Sequence, residues 1–96
     1  MDLKELINHP NATIVDVRET WEFGMGHVEG SFNIPLGEVY SRLDEFKRMS
    51  KPLILVCASG NRSGQAAAML RELGIMEAYN GGGWQEVGYL KMKSVS

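Results

Sequence analysis

The chain has 96 residues, 44% of them hydrophobic, and a formal net charge of −2, which is typical of one globular domain. The chain has ten Lys and Arg residues and twelve Asp and Glu residues, so we expect no surface that binds nucleic acid. One cysteine excludes an internal disulfide, and with two separated histidines we expect no metal site. The N-terminus has no apolar segment of signal-peptide length and the longest hydrophobic run, Leu53–Ala58, is too short to span a membrane. These features favour a cytoplasmic protein with no membrane partner.

Helices and strands are predicted to alternate in the first half of the chain. Apolar residues at helical spacing predict a short helix over residues 2–8. A β-branched apolar run predicts a buried strand over 12–17. We expect a loop with one helical turn over 19–30, a brief strand over 32–34 and a helix over 37–49.

The second half contains the predicted centre of the sheet. The continuous apolar run 53–56 is typical of a central parallel strand that is covered on both faces. A loop of small residues over 57–63 then leads into a helix over 64–73, which Gly74 ends. A strand is predicted over residues 75–79 and a glycine-rich turn over 80–83. One or two helical turns are predicted over 84–90, followed by a loose tail over 91–96.

This alternation predicts an α/β domain with a largely parallel sheet. Sheets of this kind bind ligands at the carboxyl ends of their strands. Cys57 directly follows the central strand, so we expect its thiol to lie at the ligand-binding edge.

The loop after the central strand has the composition that activates a thiol. Gly60 allows the loop to turn back, and Ala58 and Ser59 keep its side chains small. Backbone N–H groups would then face the sulfur of Cys57, with the dipole of the next helix behind them. Such surroundings lower the pKa of a thiol and make it nucleophilic.

Two further loop residues add to this chemistry. Arg62 offers a cation that can hold an oxyanion by paired hydrogen bonds. Ser63 is placed to cap the following helix and to offer its hydroxyl to the same pocket. A lone cysteine is more often a small buried hydrophobe than a nucleophile, but the sequence Gly-Asn-Arg-Ser over 60–63 favours a functional thiol.

Three segments of the chain resemble signatures of the rhodanese family of sulfurtransferases. The segment Cys57–Ser63 has the form C-x-x-G-x-R-S of the active-site loop of that family. Asp16-Val17-Arg18 with Trp21-Glu22-Phe23 resembles the first signature, and the segment 26–35 resembles the second. The glycines of 80–83 resemble a Gly-Gly turn that lies late in the sequence of the family. The chain as a whole is similar to the short, single-domain, phage-shock type of rhodanese.

The resemblance implies one domain over residues 1–96, with a three-layer α/β/α fold around a four- to five-stranded, mostly parallel sheet. It also implies a persulfide on Cys57, loaded from thiosulfate and unloaded by cyanide, a thiol or a sulfur-relay protein, without a cofactor. The implied persulfide-binding loop consists of Ala58, Ser59, Gly60, Asn61, Arg62 and Ser63. Many members carry a basic residue directly after the cysteine, where this chain has Ala58, which leaves Arg62 to bind the donor.

We expect supporting roles for other residues near these motifs. Asp16 is expected to accept hydrogen bonds that hold neighbouring loops, and Arg18 to form an ion pair near the site. His27 could serve as a general base, but a thiolate that the loop already stabilises needs none, so we expect a structural role.

Two alternatives stay open from the sequence. A phosphatase of related fold would use the spacing C-x5-R, whereas here four residues separate Cys57 from Arg62, which disfavours that reading. A sulfur carrier or protein-binding module would retain the cysteine but turn over little thiosulfate.

Overall fold

Helices and strands alternate along the chain, as the hydrophobic pattern predicts. The computed structural model describes the backbone of residues 1–95 and the side chains of residues 1–91. In chain order the elements are α1 (Leu3–Ile7), β1 (Thr13–Asp16), α2 (Thr20–Met25), β2 (Phe32–Asn33), a 3-10 turn (Leu36–Glu38), α3 (Leu43–Arg48), β3 (Leu53–Cys57), α4 (Asn61–Glu72), β4 (Ala78–Gly83) and α5 (Trp84–Val95).

The strands form one sheet in the order β2-β1-β3-β4, and every pairing within the described residues is parallel. All five residues of β3 are buried, and this strand pairs with β1 on one side and β4 on the other. The predicted α/β fold with a parallel sheet is therefore confirmed, with four strands in the described part of the chain.

Alternate residues of the sheet belong to two separate hydrophobic cores. Leu53, Leu55 and Cys57 pack in the core that also contains Phe46 of α3 and Leu70 of α4. Since successive side chains of a strand point to opposite faces, the intervening residues of β3 enter the other core.

That second core joins the sheet to the first and last helices. Ile54 and Val56 of β3 pack there with Ile7 of α1 and Val87 of α5. The helices therefore cover both faces of the sheet, which confirms the three-layer arrangement. The side chain of Cys57 lies on the α3 and α4 side.

The helix predicted over 37–49 is divided into the 3-10 turn and α3. Val39 and Phe46 are fully buried in the same core although no continuous helix joins them. The prediction was wrong because apolar spacing reports burial on one face, and two short segments that follow the sheet satisfy that spacing as well as one helix does.

The fourth strand lies later than predicted. It runs over Ala78–Gly83 rather than 75–79, so the glycines of 80–83 belong to a strand and not to a turn. The register shifts between Leu55 and Val56 of β3, and a Cβ at Gly81 would lie 2.7 Å from Cγ2 of Ile54. Glycine in a strand permits this close approach of two backbones at an irregularity.

The last helix is longer than the one or two turns predicted over 84–90. It continues through Val95, so the tail expected over 91–96 is helical as far as that residue, and Ser96 lies outside the described residues. Within the described chain no helix has the length and apolarity that crossing a membrane requires.

We predict that Gly81→Ala lowers the free energy of unfolding by about 2 kcal/mol, because the new methyl group overpacks the contact between β4 and β3. Urea denaturation followed by circular dichroism measures the change. Gly24→Ala is the matched control: it lies in α2, where the added Cβ would meet no atom within 4 Å apart from its chain neighbours and the backbone of its own helix, and should stabilise by about 0.5 kcal/mol. Equal effects of the two substitutions would contradict the packing argument.

Candidate active site

Cys57 lies at the junction between the central strand β3 and the helix α4 that follows it. It is the last residue of β3 and is 1% exposed. Only Ala58, Ser59 and Gly60 separate it from Asn61, where α4 begins. Gly60 has a φ of 101°, a left-handed backbone conformation that residues other than glycine rarely adopt. The turn directs the start of α4 back towards the sulfur.

This helix begins earlier than the sequence suggested. Gly60 is its N-cap residue, so Ser63 lies inside the first turn and does not cap the helix as expected. Its position in the first turn brings the Ser63 hydroxyl to 3.3 Å from Sγ of Cys57, to which it donates. The N–H of Gly60 donates to the same sulfur at 3.0 Å.

These hydrogen bonds control the ionisation of the thiol. Burial by itself raises the pKa of Cys57, but the hydroxyl and N–H of Ser63 lower it, as do the N–H groups of Ser59 and Gly60. The net result is a pKa lowered to about 7. A large share of the thiol is therefore ionised at neutral pH, which is the form that acts as a nucleophile.

Asn80 of β4 connects this loop to the neighbouring strand. Its Nδ2 donates to the carbonyl of Gly60 at 3.0 Å, and its Oδ1 accepts from the N–H of Gly82 at 2.9 Å. These two bonds fix the orientation of the amide, so that Oδ1 also accepts from the Ser63 hydroxyl at 2.7 Å. The single hydroxyl hydrogen of Ser63 is thus shared between Asn80 and the sulfur of Cys57. Sequence reasoning missed Asn80, since it stands in a glycine-rich segment without a chemical signature.

Arg62 forms a bidentate salt bridge with Glu22 of α2. Its two terminal nitrogens donate to Oε1 and Oε2 of Glu22 at 2.7 and 3.0 Å. The hydrogen bond to Arg62 is the main reason that the pKa of Glu22 is lowered to about 2. Hydrogen bonding to Glu22 raises the pKa of Arg62, and the negative charge of an ionised Cys57 acts in the same direction. The guanidinium expected to bind an oxyanion is therefore already bound by a carboxylate.

Asp16 and Arg18 form a buried ion pair that holds α2 on the sheet. The side chains are 0% and 6% exposed, and Nη2 of Arg18 lies 2.8 Å from Oδ2 of Asp16. Arg18 also donates to the carbonyls of Glu22 and Gly26, at 3.3 and 2.7 Å, and its guanidinium lies 4.6 Å from the centre of the Trp84 ring. The pair thus positions the helix that carries Glu22, rather than contacting the sulfur.

The remaining predicted residues lie as follows. Ala58, Ser59 and Asn61 are exposed, and the side chain of Asn61 accepts a hydrogen bond from Gln65. His27 has its Nδ1 2.8 Å from the carbonyl oxygen of Phe23 and its ring stacked on the Phe23 ring at 3.7 Å. These contacts favour the structural role expected for His27.

Comparison with known proteins identifies the class to which this fold and loop belong. Residues 1–89 match the Rhodanese-like domain family. A solved structure described as rhodanese with anions from E. coli has 33% identity and a TM-score of 0.71, covering 78% of this chain and 89% of that one. The human single-domain sulfurtransferase TSTD1 has 26% identity and a TM-score of 0.71, covering 93% and 89%. The chain belongs to the rhodanese-like domain family, as the sequence motifs predicted, and this supports sulfurtransferase activity in the broad sense.

Relatives from bacteria differ in length and description. Thiosulfate sulfurtransferase PspE of Escherichia coli is 35% identical over 80 residues, and the match covers 82% of this chain and 77% of PspE. YqhL of Bacillus subtilis, an uncharacterised protein, is 46% identical over 69 residues, which cover 72% of this chain and 54% of YqhL. YrkF of the same organism, described as a candidate sulfur carrier protein, is 37% identical over 67 residues, which cover 70% of this chain and 36% of YrkF. The chain therefore spans about half of YqhL and about a third of YrkF.

We predict that Ser63→Ala raises the pKa of Cys57 towards the value of a free cysteine, about 8.5, because the thiolate loses a hydroxyl donor. In the unaltered protein the rate of alkylation by iodoacetamide should rise with pH around a midpoint near 7. In the variant the midpoint should move upward and the rate at pH 7 should fall several-fold.

Ser59→Ala is the control for this experiment, since Ser59 acts on the sulfur through its backbone N–H, which the substitution keeps. Its midpoint should stay where it is in the unaltered protein. The same midpoint in Ser63→Ala would show that the hydroxyl contributes nothing to the ionisation of Cys57.

Proposed function

We propose that this protein is a sulfurtransferase that accepts sulfane sulfur from thiosulfate on Cys57 and passes it to a thiol or to cyanide. The observation that carries the proposal is the set of neutral donors around Sγ of Cys57, from Gly60 and Ser63. A buried cysteine with only a packing role needs no such set. The similarity to PspE supports thiosulfate as the donor.

The first half of the cycle loads the sulfur. The thiolate of Cys57 attacks the outer sulfur of thiosulfate and forms a new S–S bond. The S–S bond of thiosulfate breaks, and its electron pair leaves with sulfite. Cys57 then carries a persulfide anion, so the total negative charge is the same before and after the step.

The second half returns the enzyme to its starting state. Cyanide or a thiolate attacks the terminal sulfur of the persulfide, and the electron pair of the broken bond returns to Sγ of Cys57. Splitting the transfer in this way is nucleophilic catalysis, and it requires no cofactor. Backbone N–H groups at the start of α4 are placed to stabilise the persulfide anion as they stabilise the thiolate.

A second candidate function is sulfur carriage between proteins. The similarity to YrkF and the Ala58 that follows the cysteine favour it. The chemistry on Cys57 is the same, but the persulfide would be loaded and unloaded by partner proteins rather than by thiosulfate and cyanide.

Intact mass spectrometry after incubation with thiosulfate tests the proposed cycle. We expect the unaltered protein to gain the mass of one sulfur atom and Cys57→Ser to gain none. Addition of cyanide should remove the sulfur and release an equal amount of thiocyanate. Circular dichroism of Cys57→Ser shows whether that variant is folded.

A folded and reduced protein that gains no sulfur from thiosulfate would overturn thiosulfate as the donor. Loading by a cysteine desulfurase under the same conditions would then identify the carrier function. Loading of Cys57→Ser would overturn the assignment of Cys57 itself.

A further inference from the structure

We propose that Glu22 determines which sulfur donors the site accepts, by competing with anionic donors for the guanidinium of Arg62. The inference rests on the proposed sulfurtransferase function. It predicts that the site accepts thiosulfate, whose sulfane sulfur is attached to an oxyanion, with a KM that the Glu22 carboxylate raises. Organic persulfides, whose sulfur carries no oxyanion, are accepted without that competition.

The geometry of the salt bridge between Arg62 and Glu22 is the first argument. Both terminal nitrogens of Arg62 are engaged, each by a different oxygen of Glu22. A guanidinium binds a carboxylate or another planar pair of oxygens through the same two-nitrogen edge. A sulfonate that used this edge would have to displace the Glu22 carboxylate first.

The balance of charge around Cys57 is the second argument. The other guanidinium of the site, Arg18, is buried and paired with Asp16. Each of these two cations is therefore neutralised by a carboxylate of its own, and residue 58, directly after the cysteine, is an uncharged alanine. A dianion that approaches the thiolate of Cys57 is repelled by it, and the paired guanidiniums offer little net positive charge to compensate.

The rigidity of Glu22 is the third argument. Its Oε1 accepts the N–H of Glu19 at 2.9 Å, and its backbone carbonyl accepts from Arg18. The side chain is only 17% exposed. Because these contacts already order the side chain, its bond to Arg62 costs less conformational entropy than a bond from a freely moving surface carboxylate would.

A donor without an oxyanion avoids this competition. With an organic persulfide, the thiolate of Cys57 attacks the outer sulfur, and the electron pair of the broken S–S bond leaves on the thiol sulfur of the donor. The proton of the outer sulfur passes to that thiolate, so a thiol departs and Cys57 keeps the persulfide anion. No step requires Arg62 to release Glu22.

Alkylation by two reagents of equal size but different charge tests the competition without any sulfur transfer. The rate constants for iodoacetate and iodoacetamide are measured on the unaltered protein and on Glu22→Gln, which keeps an acceptor for the N–H of Glu19. We expect the ratio of the iodoacetate rate to the iodoacetamide rate to rise about threefold to tenfold in the variant. Glu72→Gln, an equal change of net charge at the far end of α4, should leave the ratio unchanged.

The same substitution in an Arg62→Gln background separates release of the guanidinium from simple removal of a negative charge. Without Arg62 there is nothing to release, so Glu22→Gln should then raise the ratio much less. An equal rise in both backgrounds would overturn the competition, and so would no rise in either. Circular dichroism of each variant confirms that it is folded.

Steady-state kinetics extend the test to sulfur donors. Glu22→Gln should lower the KM for thiosulfate about threefold to tenfold and leave kcat within about twofold, while the KM for an organic persulfide stays the same. A higher KM for thiosulfate in the variant would overturn the proposal, because Glu22 would then position Arg62 rather than compete for it. A failure of every variant to turn over thiosulfate would overturn thiosulfate as the donor. A rise in the alkylation ratio in the same variants would still support competition between Glu22 and anions for Arg62.

Discussion

The structure of the site depends on how short the connection is between β3 and α4. Cys57 ends the strand and Asn61 begins the helix, so three residues must reverse the chain. The first N–H groups of a helix have no partner within it, and the short turn places them around the sulfur. Gly60 supplies the left-handed conformation that the turn requires. Asn80 ties the turn to β4 through the carbonyl of Gly60, so the surroundings of the Cys57 sulfur are set by the sheet on one side and the helix on the other.

A second chain of contacts starts from a buried ion pair and ends at the rim of the site. Asp16 closes β1, and Arg18 follows it closely enough for the two side chains to form several hydrogen bonds. Removing one member of a buried pair leaves an uncompensated charge, which is strongly destabilising. Arg18 also donates to the carbonyls of Glu22 in α2 and of Gly26, which follows that helix, and α2 presents Glu22 to Arg62. The motif containing Asp16 and Arg18 thus affects the site indirectly, by fixing the position of α2 and therefore of Glu22.

Sequence reasoning placed Cys57 correctly at the end of the central strand because each step there is local. The apolar run of β3, the small loop residues and Cys57 are consecutive, so their order in the chain gives their order in space. The partners of the loop could not be found in this way: Glu22 is forty residues from Arg62 and Asn80 is seventeen from Ser63. The start of α4 was misplaced because Ser63 is a favourable N-cap residue, whereas Gly60 takes that position through its backbone. The glycines of β4 suggested a turn, since their strand conformation comes from pairing with β3, which the local sequence does not show.

The two functions usually assigned to a cationic active-site loop are separated in this protein. The thiolate of Cys57 is stabilised chiefly by neutral donors, namely the Ser63 hydroxyl and backbone N–H groups. Under the proposed function, recognition of a charged donor falls instead to Arg62, which is paired with a carboxylate of α2. The reactivity of the sulfur therefore does not require a free cation, and the preference for donor charge can change with one residue of α2 while the loop stays the same. Under this proposal a chain with this loop could serve oxyanion donors or organic persulfides, depending on whether a carboxylate stands opposite Arg62.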